Sequence, residues 1–333
     1  MVDSVTFTDP NVTQPKKKKS KFKRKVLQSV NGWLFVLPAL ALMALFTFYP
    51  IVNSVISAFL NNYDAIGNSF DGVGFENFRV VIQNKTGASG IFFMNALVNT
   101  ILFAVISVPI STILALFIAV ALNSIKPLQK LYQTVLFLPY LTNALSMGAV
   151  FATFFKIIGT PRQIAQNKAS YGIVNNIIMA FGGNYVDWLS TGNPWANRFV
   201  VIVYSIWSGL PFKILILFGA LQNVSKQYYD AAKVDGASKA TTLWKITVPL
   251  ISPMLSYLFI TGMMGGLKAY SSIVGIWDKE MNSGEMGTMV GYIYACINNN
   301  QIGYAAAGSL ILFAIIMAFT GVNLFLSKRR VHF

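Results

Sequence analysis

The chain has 333 residues, 55% of them hydrophobic and only 11% charged, with a net charge of +15. A soluble domain carries about 25% charged residues, so this composition excludes an ordinary soluble enzyme and points to an integral membrane protein. The charge does not indicate a nucleic-acid partner. Its densest run, eight basic residues between Lys16 and Lys25, and the closing cluster Lys328, Arg329 and Arg330 both abut apolar segments, where they mark membrane orientation. The single cysteine, Cys296, leaves no intrachain disulfide, and the single histidine, His332, has no other ligand type clustered near it, so no metal site is expected.

In chain order, residues 1–30 are polar, with Pro10 and Pro15 before the basic run. They are expected to form a disordered cytoplasmic tail held against anionic headgroups. The apolar run that follows, roughly 33–60, is far longer than the 7–15 residues of a cleaved signal segment, and reads as an uncleaved first span. A span needs about 20 apolar residues at 1.5 Å rise. Six segments qualify, at about 33–60, 92–122, 132–157, 198–222, 250–275 and 302–327. An all-α protein of six transmembrane helices has both termini on one side. Seventeen of the 26 basic residues fall on that side, including Lys126, Lys130, Lys226, Lys233, Lys239 and Lys245, which makes it the cytoplasm. The outer loops hold Asp64, Asp71, Glu76, Asp187, Asp278, Glu280 and Glu285. The loops at 61–91 and 276–301 read as polar and ordered mainly by contact. The loop at 158–197, with Trp188 and Trp195, reads equally as a membrane-interface segment or as a platform for an external partner.

Several spans are suited to packing against other helices. Pro109, Pro139 and Pro211 each remove a backbone donor inside a span, which neighbours or water must compensate. Gly262 and Gly266 form a GxxxG beside Gly265, fitting either packing within the subunit or a subunit seam. Lys213 and Lys268 fall within spans, where a charge costs at least about 2.5–3.5 kcal/mol on insertion scales. Each either snorkels to an interface or faces a polar cavity. Lys213 lies roughly 13 Å from the inner end of its span, which favours a cavity. Lys268, nearer the outer end, favours the interface. No Asp or Glu lies inside any span, which argues against a proton relay.

The most informative stretch is Tyr229–Pro253, polar and small-residue-rich between two apolar runs. Lys226 to Val234 lacks Gly and Pro and predicts a short helix. Gly236 suits a left-handed turn after it, and Ser238 suits the cap of a second helix over about Lys239 to Thr247. Leu243, Trp244 and Thr247 are expected on one face, and Pro249 and Pro253 mark entry into the fifth span. The tip offers Ala231, Ala232, Gly236 and Ala237, with Asp230 and Asp235 as polar register, so a partner's groove could approach the backbone.

This stretch resembles the EAA loop of binding-protein-dependent ABC importer permeases. The family pattern is E-A-A-x-x-D-G-A followed by I-x-x-P-x-x-x-P. The chain has Asp230-Ala231-Ala232, Asp235-Gly236-Ala237, Leu243-Trp244, Ile246, Pro249 and Pro253 at matching spacing, with Asp230 replacing the usual Glu. The first span, with Pro38 and Tyr49-Pro50, the GIVNN before the fourth span and NQIGYAAAGSLILF at the sixth are similar to the carbohydrate-uptake permeases, maltose-transporter-like and glycerol-phosphate-transporter-like. The chain departs from them where many relatives have a GGP segment after the fifth span.

The resemblance implies a type I ABC importer permease fold, a permease domain over 31–330 with its coupling loop at 226–249, and a multi-pass place in the cytoplasmic membrane. It implies a second homologous permease subunit, two ABC ATPase subunits docked on the coupling loops, and an external substrate-binding protein. ATP and Mg would be bound by the ATPase subunits, since the chain has no GxxxxGK[ST] motif and no nucleophile–base constellation. Asp230, Ala231, Ala232, Asp235, Gly236 and Ala237 would form the docking loop. By depth, Ser205, Ser208, Gly209 and Lys213 on the fourth span and Gly262 and Gly266 on the fifth are nominated for the substrate pathway. The implied cargo is a sugar or oligosaccharide. The alternatives are the same machinery for glycerol phosphate, a polyamine or an amino acid, or an uncoupled channel or scaffold subunit.

Overall fold

The computed structural model describes residues 33–64, 66–67, 69–83, 87–125, 127–160, 162–163, 169–190, 192–277 and 286–328. The basic tail, the acidic stretch with Asp278, Glu280 and Glu285, Lys126, and the terminal Arg329, Arg330 and His332 lie outside the described residues. The chain divides into two units, 1–54 and 55–333.

Helix α1, Trp33–Phe59, begins in the first unit. Its residues 33–56 are all exposed, and a helix apolar all round has hydrocarbon or another helix as its natural solvent. A π-helical turn, Ala44–Phe48, interrupts it, with the Tyr49 N–H reaching back to the Ala44 carbonyl. Pro50 explains the turn. Its ring crowds the carbonyl four residues back, and the wider loop relieves that contact.

The second unit starts with a short hairpin, β1 (Leu60–Asn61) on β2 (Gly72–Val73), antiparallel with Leu60 opposite Val73. Helix α2, Glu76–Ile82, follows; its buried Asn77 donates to the Ala58 and Leu60 carbonyls at 3.0 and 2.8 Å. The long helices α3 (Phe93–Ser124) and α7 (Pro194–Gln222) pack along each other and form the spine of the unit. Ala104, Val108, Ser111, Ala115, Ala119 and Leu122 of α3 recur every three or four residues and are all buried, which is the stripe that helix geometry requires for one packed face. Between them come α4 (Gln129–Leu141), α5 (Ala144–Thr153), the pair β3 (Ile157–Ile158) and β4 (Ser170–Tyr171), and α6 (Ile173–Ala180). After α7 come α8 (Lys226–Val234), α9 (Lys239–Leu250), α10 (Ser252–Leu267), α11 (Ser271–Trp277), α12 (Met289–Asn298) and α13 (Ile302–Lys328). Helix α10 packs on α3 and α13, and α5 lies against α11. The α5–α11 contact is backbone to backbone, because a Cβ on Gly148 or Gly275 would strike main-chain atoms of the other helix.

Among the described residues, four helices are long and apolar enough to cross a membrane: α1, α3, α7 and α13. These match four expected spans to within a few residues. The other two expected spans are not continuous helices. The segment expected at 132–157 is the pair α4 and α5, bent by 101°. Pro139 weakens the end of α4, Thr142 is extended, and the Asn143 side chain accepts the Leu145 N–H at 2.8 Å to start a new helix. The segment expected at 250–275 begins instead at a 69° bend between α9 and α10 and ends at Leu267, with α11 following as a separate helix. Among the described residues there are therefore four candidate spans, or up to six if each bent pair counts as one.

The expectation of polar loops ordered by contact is corrected at 276–301. Helix α12 within it has the sequence MVGYIYACIN, and its Tyr292 and Cys296 are fully buried. The apolar side chains of α12 form a core with Phe93, Phe103 and Ala307. A second core gathers Leu116, Leu217, Leu221 and Leu258.

Candidate functional site

Two features stand out, a polar helical hairpin and a cavity. The hairpin is α8 and α9. Ser225 caps α8, its side chain accepting the Gln227 N–H. The helix ends in a Schellman motif: the Ala237 N–H reaches the Ala232 carbonyl at 2.9 Å and the Gly236 N–H reaches Lys233 at 3.1 Å. That closure needs a left-handed residue, and Gly236 has φ +67°. Ser238 then caps α9, accepting the Thr241 N–H at 3.1 Å. Helix α9 contains a π-helical turn at Leu243–Thr247, with the Val248 N–H on the Leu243 carbonyl, just before Pro249. This is the same arrangement as the turn before Pro50, with the same cause. The Thr247 hydroxyl donates to the Tyr229 hydroxyl at 3.4 Å and joins the two arms.

Asp230, Ala231, Asp235 and Gly236 are exposed and Ala237 is half-buried. Ala232 departs from the expected tip surface: it is 5% exposed and belongs to the chain's own interior. The π turn also separates the face expected to be shared. Thr247 is buried, whereas Trp244 is 55% exposed and meets Phe117 edge-on at 6.4 Å between centroids. Asp230 pairs with Lys233 at 3.6 Å, an exposed contact of little energetic weight. Sequence reasoning passed over Val234, which is 88% exposed. It lies one turn beyond Asp230 and so shares its face, and it was the one branched apolar residue among the small ones.

The cavity, about 230 Å³, lies between α3, α7 and the α10–α11 segment. It brings together all six residues nominated for the substrate pathway: Ser205, Ser208, Gly209 and Lys213 from α7, and Gly262 and Gly266 from α10. The third wall was missed. It is α3, through Phe103, Ser107, Val108 and Ser111. The polar cluster Ser107, Ser111 and Thr112 around Pro109, inside an otherwise apolar run, was the available signal.

Lys213 is 6% exposed. Its Nζ donates to the Val108 carbonyl at 3.1 Å, to Ser111 Oγ at 2.6 Å and to Thr112 Oγ1 at 3.0 Å. It therefore faces the cavity wall and does not snorkel. Lys268 is exposed at the C-terminal cap of α10, where a cation complements the helix dipole. Gly262 and Gly266 resolve as packing within the chain: an added Cβ would lie 2.9 Å from Val108 and 3.1 Å from Ala104 of α3. In the 158–197 loop, Trp188 packs inward, its Nε1 donating to Asn175 at 3.0 Å, while Trp195 is 72% exposed beneath the Arg198 guanidinium.

Long apolar helices, a cavity among them and a polar hairpin joining two of the cavity's walls are features that suit a membrane transport component. The chain belongs to the family of binding-protein-dependent transport system inner membrane components, whose pattern matches residues 17–332. It is 28% identical over 303 residues to the arabinooligosaccharides transport system permease protein AraP of Halalkalibacterium halodurans, covering 90% of this chain and 88% of that protein. It is 27% identical over 307 residues to the lactose transport system permease protein LacF of Rhizobium radiobacter, covering 90% and 95%. The fold is shared with a chain of a bacterial alginate ABC transporter crystallised in complex with an alginate pentasaccharide-bound periplasmic protein. There the TM-score is 0.74 and the identity 19%, over 93% of this chain and 98% of that one.

Proposed function

We propose that the chain is the membrane-spanning permease subunit of an ATP-driven ABC importer, and that it translocates a sugar or oligosaccharide delivered by an external binding protein. One observation carries this reading. The hairpin α8–α9 connects α7 directly to α10, and those two helices form walls of the cavity. A partner that moves the hairpin therefore moves the cavity walls. Membership of the transport family and the sugars named for its relatives support the cargo class.

In this reading the pair α4–α5 is one span and α10, beyond the bend that ends α9, is another, which with α1, α3, α7 and α13 gives six spans with both termini in the cytoplasm. The hairpin then lies on the cytoplasmic side, where the basic residues concentrate. Asp230, Ala231, Asp235, Gly236 and Ala237, together with Val234, seat one of two ATPase subunits, which hold the ATP and Mg. Ala232 supports the tip from within. A second, homologous permease subunit completes the pathway, and Ser205, Ser208, Gly209, Lys213, Gly262 and Gly266 line this chain's half of it. The subunit is a transport component and not an enzyme.

Purification of the tagged chain from its native membrane tests the reading. The expected companions are an ATP-hydrolysing subunit and a second permease, with uptake of a sugar lost on deletion. A chain that purifies without any ATPase, with sugar uptake unchanged by its deletion, would contradict it.

A further inference from the structure

We infer that the cavity is built for a sugar bearing a negative charge, such as a uronate or a sugar phosphate; this rests on the cavity being the cargo site of the proposed importer. Lys213 is the only charged residue lining the cavity among the described residues. Helices α3, α5, α7, α10, α11 and α13 contain no Asp or Glu anywhere in their sequences, so these helices supply no counter-charge. The ammonium's three donors are met by a carbonyl and two hydroxyls of α3. These neutral acceptors offset its desolvation but leave its net charge uncancelled. Such an arrangement inside a membrane span is costly and marks a functional group.

The geometry keeps that charge next to the empty space. Gly262 has no side chain to cover the ammonium; a Cβ there would sit 3.5 Å from Nζ. Ser107 Oγ, in the same wall, is buried with no hydrogen-bond partner among the described residues, so a donor is left for an incoming acceptor oxygen. An uncompensated cation beside an unused hydroxyl in a low-dielectric cavity favours an anion over a neutral group of the same shape. The volume, about 230 Å³, lies below the ~300–1,000 Å³ usual for ligand pockets, so single sugars are the appropriate probes.

The test is binding of glucuronate and of glucuronamide, its uncharged isostere, to the full-length chain purified together with its companion subunits in lipid nanodiscs, with glucose 6-phosphate as a second anion. The wild type should bind glucuronate at least tenfold more tightly than the amide. Lys213→Arg should keep the difference, and Lys213→Gln should abolish it. Tighter binding of glucose 6-phosphate than of glucuronate would identify a phosphate as the preferred anion. Equal binding of acid and amide by the wild type would overturn the anionic inference and leave the cavity as a site for neutral cargo. Binding of neither acid, amide nor phosphate would overturn both the inference and the cargo site it rests on.

Discussion

Lys213 on α7 donates to Ser111 on α3 at 2.6 Å, joining helices through residues 102 positions apart in sequence. The bond is asymmetric in what its loss would cost. Ser111 Oγ also donates to the Ser107 and Val108 carbonyls, so the serine stays partnered without the lysine. The ammonium without Ser111 is a buried charge short of an acceptor. Ser111→Ala should therefore destabilise the chain by about 1.5–3 kcal/mol, the range for hydrogen bonds to charged groups, whereas Lys213→Met should cost less. Thermal unfolding of both variants in the same detergent checks the order.

The three glycines of α10 should separate packing from transport. Gly266→Leu would drive a side chain into Ala104, and Gly262→Leu into Val108. Overpacking of this kind costs about 1–3 kcal/mol or more, so both variants should lose folded protein. Gly265 also lines the cavity, but a Cβ there meets nothing within 4 Å. Gly265→Leu should leave the folded yield near wild type and lower uptake by filling the space. Size-exclusion yield and uptake, measured side by side, read the difference.

Gly236 closes α8 with φ +67° and has open space where a side chain would stand. The cost of replacing it is thus in the backbone, about 1–2 kcal/mol for an L-residue held left-handed. Gly236→Asn should be milder than Gly236→Val, because Asn tolerates that conformation. Hydrogen exchange at the Ala237 amide, which closes the motif onto Ala232, should rise in the order wild type, Asn, Val.

Asn175 organises the 169–190 segment. Its carbonyl oxygen accepts from the Val186 N–H and Trp188 Nε1, and its amide donates to the Val186 carbonyl. Asn175→Ala leaves these groups without partners, at about 1–3 kcal/mol for each buried one. The expected result is faster proteolysis between 180 and 190, with the α3–α7 spine intact by circular dichroism.

The features legible in the sequence were those set by local chemistry. The bounds of α8 follow from Ser225 and Gly236, and the nominated cavity residues follow from their depth along two apolar runs. What escaped was set by contacts across the chain. Hydropathy reads 132–157 as one run, which Pro139, Thr142 and Asn143 together redirect. Helix α12 is ten residues long, too short to register as a span, yet it is buried. Small residues at 231–237 indicate a close approach without saying which are turned inward, so Ala232 was misplaced. Val234 went unnoticed because exposure of a valine is a property of the fold and not of its neighbours in sequence.

The central claim is that the α8–α9 tip seats an ATP-binding partner. A photo-crosslinking amino acid in place of Val234, the most exposed large apolar side chain of the hairpin, tests it in intact membranes, with the same probe at Asp64 in the β1–β2 hairpin loop as the control. The expected result is a crosslink from position 234 to an ATP-binding subunit and none to that subunit from position 64. A crosslink to the ATP-binding subunit from position 64 and none from position 234 would contradict it.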